Sequence, residues 1–268
     1  MYLKHWNLKE QPFLNVPKSG LFFPSPQHEE AVIRLSYVAQ HRKGVAMLTG
    51  EVGSGKTTVA RALMNHLPKD KFETQMIVNP ALSPTDMLKA ILLKFGENAE
   101  KAESDSKPIL LDRLQTRFAQ NMKKGITTVL IIDEVHVIKD LSTFEELRML
   151  LNMQSDDEFL VTLILLGQPL LLKKISELQP LKERISIKYH LEPLDSENTW
   201  EYIAFRLKNS GSVNNIFTKD AVRLIYETSE GIPLRINNLC DRSLLVGLMS
   251  GVMEIDVNIV NEAIEDLR

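Results

Sequence analysis

The chain has a single cysteine, Cys240, in 268 residues. One thiol forms no intramolecular disulfide, which excludes a disulfide-stapled secreted module and fits a reducing compartment. In its helical setting the thiol reads as a small buried apolar group. Long apolar runs are also lacking. The longest, VTLILLG from 161 and VLII from 129, fall far short of the roughly 20 residues a membrane span needs. The opening MYLKHWNLKEQPF is too polar for a signal peptide. A cytoplasmic chain with no membrane span is therefore expected, and any membrane role must come through a partner. Nor does one sign of charge dominate. A net charge of −3 gives no general attraction to nucleic acid or to an anionic membrane, though it leaves room for a local basic patch. No internal repeat is present.

What the chain does have is an ordinary globular composition, with 44% hydrophobic and 25% charged residues. At this length a core can form without disulfides or metals. Short strand-like runs begin near 45 (VAMLT), 74 (TQMIV), 127 (TTVLIID), 159 (FLVTLILLG) and 185 (ISIKYHL). Helical patterns fall near 56–66, 84–95, 109–123, 143–153 and 169–176. Continuous apolar strands between helices predict an α/β fold with a five-stranded parallel sheet covered on both faces. After about residue 194 strands give way to helices at 196–209, 218–229, 233–249 and 256–267, with Ser196, Thr218 and Asp256 as expected N-caps. The expected division is an α/β domain over 1–194 and a small all-α domain over 195–268. Residues 96–107, GENAEKAESDSK, have no large apolar side chain and read as a solvated loop.

The stretch GEVGSGKTT lies between the first strand and a helix. Gly50, Gly55, Lys56 and Thr57 complete the pattern of a phosphate-binding loop. Glycines allow successive backbone N–H groups to approach phosphate oxygens, and the following helix adds its positive end. The nucleotide-binding set is thus Gly50, Glu51, Val52, Gly53, Ser54, Gly55, Lys56, Thr57 and Thr58. Lys56 would neutralise β- and γ-phosphates, and the Thr57 hydroxyl would ligate Mg²⁺. The strand from Val129 ends in Asp133-Glu134. Asp133 is the second candidate for the metal, and Glu134 the candidate general base toward the attacking water. A glutamate directly after the aspartate favours hydrolysis. The Asn-Lys-x-Asp tetrapeptide that reads guanine in common GTPases is missing, which favours ATP.

Three further residues are candidates, and the first two have two readings each. Gln168, at the tip of the strand ending Gly167-Gln168-Pro169, either reaches the γ-phosphate and water or merely caps the strand. Arg184, before the last strand, is either an arginine finger for a neighbouring subunit's nucleotide or a surface arginine. Arg235, on a helix opened by Gly231-Ile-Pro233, could reach back to phosphates.

This order of pieces resembles the AAA+ ATPases, and the wording resembles one branch, the ExeA/GspA family of type II secretion and pilus-biogenesis ATPases. The resemblance rests on Tyr2-Leu3-Lys4-His5-Trp6 through Pro12-Phe13, on Pro26-x-His28-x-Glu30-Ala31, on Glu146-Leu-Arg148 through Asn152, on Gly167-Gln168-Pro169 and Glu183-Arg184-Ile185, and on Tyr189-His190-Leu191-x-Pro193-Leu194 and Ile236-Asn237. It implies an N-terminal segment, 1–40, that wraps the adenine with Phe13 or nearby residues against the base. It also implies Gln168 at the sensor-1 position, Arg184 as the finger, ATP and Mg²⁺ as cofactors, and an ATP-dependent oligomer or ring. Partners would be secretion or pilus assembly proteins at the inner membrane. Where the family often has Gly-x-Pro-Arg, this chain has Leu234, with Arg235 one place on and about 100° further round the helix.

The alternative function is a DNA-handling regulator of the transposition-helper type, which needs a basic surface. Residues 79–125, the long segment between the second and third strands, have eight Lys/Arg against six Asp/Glu, which does not favour nucleic acid. A nucleotide-gated scaffold with rare turnover is a third reading. A protein unfoldase is disfavoured, because no aromatic-hydrophobic-Gly pore loop is seen.

Overall fold

The computed structural model describes residues 2–15, 22–155, 158–213 and 215–267. The expected sheet is present, with β1 Val45–Gly50, β2 Phe72–Ile77, β3 Thr127–Ile132, β4 Val161–Gly167 and β5 Ile185–Leu191. All five strands are parallel, in the order β2-β3-β4-β1-β5. The three inner strands, β3, β4 and β1, are buried along their whole length. Their apolar sequences follow from helices covering both faces. The edge strands β2 and β5 tolerate Glu73, Gln75, Lys188 and His190 because they are only partly covered.

Register decides what the strand ends present. Thr49 lies beside Gly167, and Ile132 beside Leu165. The C-terminal ends of β1, β4 and β3 therefore share one edge of the sheet, the edge at which open parallel sheets bind ligands.

Helices α1 Pro26–Gln40, α2 Lys56–His66, α3 Pro84–Lys94, α4 Ala99–Ser104, α5 Lys107–Lys123, α6 Leu141–Leu150, α7 Leu170–Ser176 and the short α8 Gln179–Lys182 intervene. On α5 the buried side chains Leu110, Leu114, Phe118 and Asn121 recur at helical spacing and face the core. Asn121 is polar yet satisfied there, donating to Glu73 and to Thr128 Oγ1 at 2.9 Å. Ser83 caps α3 by accepting from the Asp86 amide, with Pro84 opening the first turn.

Two expectations about the region around the sheet need correction. Residues 96–107 are not wholly loop, since Ala99–Ser104 is helical and Ala102 is buried in the core. The run 159–167 is not one strand either. Gln154–Ser155 and Glu158–Phe159 form a small antiparallel pair, and the long strand starts at Val161.

The described chain falls into two compact units. One comprises Glu29–Gly50 and Val59–Leu191 and contains the sheet. The other comprises the N-terminal residues to His28, the segment Glu51–Thr58, and Glu192 onward. The second unit is built on α9 Ser196–Asn209, α10 Lys219–Ser229, α11 Pro233–Ser250 and α12 Val257–Asp266. Thr218 and Asp256 cap α10 and α12 as expected. The cap of α9 is Asp195 rather than Ser196, its carboxylate accepting from the Asn198 amide at 2.7 Å. Carboxylate and hydroxyl are both good caps, and Asp195 has the extended backbone that the position needs.

The N-terminal segment shares this unit's core. Tyr2, Trp6, Leu8 and Phe13 pack in one cluster with Tyr202, Phe217, Ile236 and Leu244. Trp6 Nε1 donates to the Leu244 carbonyl at 2.9 Å. The buried Arg206 holds the same segment through the carbonyls of Pro12 and Leu14, at 2.6 and 2.7 Å. Cys240 is fully buried on α11, as expected, and burial pushes its thiol pKa well up.

Candidate nucleotide site

β1 runs directly into the loop Glu51–Gly55, and α2 opens on Lys56. Gly53 and Gly55 have φ of +81° and +100°, values that L side chains rarely adopt. Both are also closely approached. A Cβ on Gly53 would lie 2.3 Å from Leu234 Cβ, and one on Gly55 would lie 2.8 Å from His28 Nε2. The Leu234 amide donates to the Gly53 carbonyl at 3.3 Å. Thus the position where a resembling family places arginine puts hydrocarbon against the loop instead.

Lys56 is buried, and its Nζ donates to the Glu51 carbonyl at 2.7 Å. The ammonium is therefore drawn toward the loop's own backbone. Ser54 Oγ is buried and has no hydrogen-bond partner among the described residues. Left-handed glycines, a lysine held inside the loop and an unpartnered hydroxyl fit a phosphate cradle. Thr57 and Thr58 follow in the first turn of α2, partly buried.

Sequence reasoning did not single out His28 as a site residue. It is buried, its Nε2 lies 3.1 Å from the Ser54 carbonyl, and its Nδ1 lies 2.6 Å from Ser25 Oγ. A carbonyl only accepts, so Nε2 bears the proton and Ser25 donates to Nδ1. Burial pushes the imidazole pKa down, while the Ser54 carbonyl opposes that shift. Only its place in a Pro-x-His-x-Glu block pointed to it.

At the end of β3, Asp133 is buried, and its Oδ1 accepts the Glu134 amide at 2.9 Å. Glu134 itself has φ +55° and ψ +34°, an uncommon conformation for a side chain of its size. A single 3-10 turn, Val135–Val137, follows. Gln168 stands at the neighbouring tip, after β4. The structure thus brings Asp133, Glu134 and Gln168 to adjacent strand ends.

Arg184 is elsewhere. It precedes Ile185, which pairs with Val45 where β1 begins. One strand length, about 20 Å, separates that end of the sheet from the acidic tip. Its guanidinium donates to the Leu151 carbonyl at 2.9 Å. Arg235 is exposed and paired with Glu230. Phe13 is buried, its ring meeting Phe217 edge-on at 6.2 Å.

The AAA domain family matches residues 39–175. General secretion pathway protein A of Aeromonas hydrophila is 34% identical over 274 aligned residues, an alignment that takes in 100% of this chain but 49% of that protein. The chain therefore spans about half the length of this relative. Among solved structures, the Aeropyrum pernix ORC2 protein superposes with a TM-score of 0.72 at 16% identity, over 96% of this chain and 71% of that one. The Thermotoga maritima RuvB Holliday junction branch migration motor gives 0.58 at 22% identity, over 89% of this chain and 69% of that one. These two show a shared fold. The family match covers half of the chain, from the last two residues of α1 into α7 and through β1, β2, β3 and β4, so the chain belongs to the AAA domain family.

Proposed function

We propose that this chain is an ATPase that binds ATP at the Glu51–Thr58 loop, hydrolyses it through Glu134, and uses the cycle to drive or gate assembly of a secretion or pilus machine. One observation supports the reading above all: Lys56 is buried and directed into a loop of left-handed glycines. A buried ammonium costs desolvation energy that anionic phosphate oxygens would offset.

In this reading the loop amides and Lys56 bind the phosphates, and the N-terminal turn of α2 adds its dipole. Thr57 and Asp133 offer a hydroxyl and a carboxylate, hard oxygen donors suited to magnesium. A bound Mg²⁺ would supply charge neutralisation of β- and γ-phosphate oxygens. Glu134 orients the attacking water and accepts its proton. Gln168, on the next strand tip, orients the same water in this reading. Arg184 serves a neighbouring subunit, because a strand's length separates it from the acids of its own chain. The secretion role draws on the relative's name and its 34% identity.

Lys56→Ala should abolish ATP binding, measured by calorimetry. Glu134→Gln should bind ATP with unchanged affinity and hydrolyse it about 10²–10⁴-fold more slowly, the usual contribution of a general base. In the native host, Lys56→Ala in place of the wild-type chain should stop export of secreted proteins or pilus formation. Wild-type turnover by Glu134→Gln would refute the catalytic assignment. Tight, ATP-dependent and salt-sensitive binding to duplex DNA would replace the secretion role with DNA handling.

A further inference from the structure

We propose that His136 is a positioning residue for hydrolysis: its Nε2–H steers the Glu134 carboxylate, and its Nδ1 ties that carboxylate to the tip of β4 at Gln168. The inference rests on the ATPase reading above and deepens it.

The geometry is local and specific. His136 lies on the 3-10 turn directly after the acidic pair, and its side chain is only 9% exposed. Its Nε2 lies 3.4 Å from Glu134 Oε2. Its Nδ1 lies 3.3 Å from the backbone nitrogen of Gln168. An amide nitrogen only donates, so Nδ1 holds a lone pair and the ring proton sits on Nε2, facing the carboxylate. The Gln168 amide thereby selects the one neutral tautomer that can donate to Glu134.

The turn that bears the ring is itself pinned. Lys174, on the helix that follows Gln168, donates to the carbonyls of His136 and Ile138 at 2.5 and 2.6 Å. The Val137 amide donates to the Glu134 carbonyl at 2.9 Å. Both the backbone and the ring of His136 are thus held by the β4–α7 connection, while its donor faces β3's acid. A displacement of the β4 tip would be passed to Glu134 through one rigid ring.

The looseness of the last link matters. At 3.4 Å the imidazole–carboxylate contact is longer than a normal N–H···O hydrogen bond. It steers the carboxylate by electrostatics without fixing it, so Glu134 can still engage a water. A general base needs its oxygen within about 3 Å of the proton it takes. A carboxylate on a left-handed residue, with its backbone amide turned to Asp133, gains most from such guidance.

The test uses the full chain as wild type, Glu134→Gln, His136→Ala, His136→Gln and His136→Asn. Steady-state turnover at saturating ATP, nucleotide Kd and thermal melting are measured for each. His136→Ala should lose about 10–100-fold in kcat, the scale known for outer partners of metal-ligating side chains, with Kd little changed. His136→Gln places an amide N–H near the position of Nε2 and should recover most of the loss. His136→Asn can accept from the Gln168 amide but is too short to reach Glu134, and should stay low. If the alanine variant fails to fold, the Gln and Asn variants still decide. Equal turnover by these two, wild-type turnover by His136→Ala, or a loss that appears in Kd rather than kcat would overturn the inference. If Glu134→Gln is inactive in those cases, the ATPase reading stands and only His136's part falls. If Glu134→Gln turns over like wild type, the catalytic assignment itself fails, and the inference with it.

Discussion

At Glu51–Gly55 most of the polar groups on offer belong to the backbone, whereas at Asp133, Glu134 and Gln168 they belong to side chains or to amides aimed by side chains. The loop is shaped by close approaches, with Leu234 against Gly53 and His28 against Gly55. The strand tips are shaped by charge and proton placement: a buried aspartate, a left-handed glutamate and a histidine between two tips. The contrast teaches where each kind of change should register. Adding atoms to the loop should cost folding and binding. Removing atoms from the tips should cost rate.

The largest effect tests whether the tip's chemistry is complete within one chain. Arg184 directly precedes β5, at the far end of the sheet from the acids. Arg184→Ala should bind ATP normally yet lose about 10³–10⁵-fold in kcat, the span of fingers supplied in trans. Mixing it with Lys56→Ala should restore part of the turnover, since one variant contributes an intact site and the other an intact arginine. Full turnover by Arg184→Ala at dilutions where the protein is monomeric would make Arg184 a surface residue held by Leu151.

A smaller effect tests the loop. Gly53→Ala adds one methyl where φ is +81° and Leu234 stands 2.3 Å away. Strained backbone and overpacking together should cost about 3 kcal/mol, read from denaturant unfolding. Val52→Ala, one residue earlier but exposed, should change stability by less than about 0.5 kcal/mol. Equal effects would dissolve the distinction between backbone-built and side-chain-built regions.

The smallest effect concerns acid. The folded chain holds the His28 pKa below its ordinary value, so the unfolded chain binds the proton more readily. Stability should therefore fall as pH drops below about 6.5, the unfolded value, and level off below the folded pKa. His28→Gln retains an N–H for the Ser54 carbonyl and does not titrate. The difference between the two unfolding curves should be flat above neutrality and open only on the acid side. A difference that ignores pH would place the imidazole proton elsewhere.

Much of the fold was legible because its signals are local. The inner strands are mostly apolar runs, and the glycine loop and acidic pair are short spacings with their context on both sides. The helix Ala99–Ser104 escaped notice because alanine buries little and advertises little. The break at Leu160 was hidden within one continuous apolar run. At the site, the contacts that shape the loop and tips join residues far apart in sequence, as with Ser54 and His28, Gly53 and Leu234, or His136 and Gln168. No spacing rule reaches across such gaps. The one-residue shift between Leu234 and Arg235 was visible as a departure, but what leucine does there emerged only from its contact with Gly53.

That contact has a consequence for how the protein responds to ionic strength. A guanidinium placed at residue 234 would be screened by dissolved ions, with a Debye length of about 10 Å at 0.1 M salt and about 3 Å at 1 M. Leucine has no charge to screen. Its packing on the loop, and the amide bond from Leu234 to Gly53, hold alike in dilute buffer and in concentrated brine. Any salt dependence of nucleotide affinity then reports on Lys56 and the other charged groups, with no contribution from residue 234.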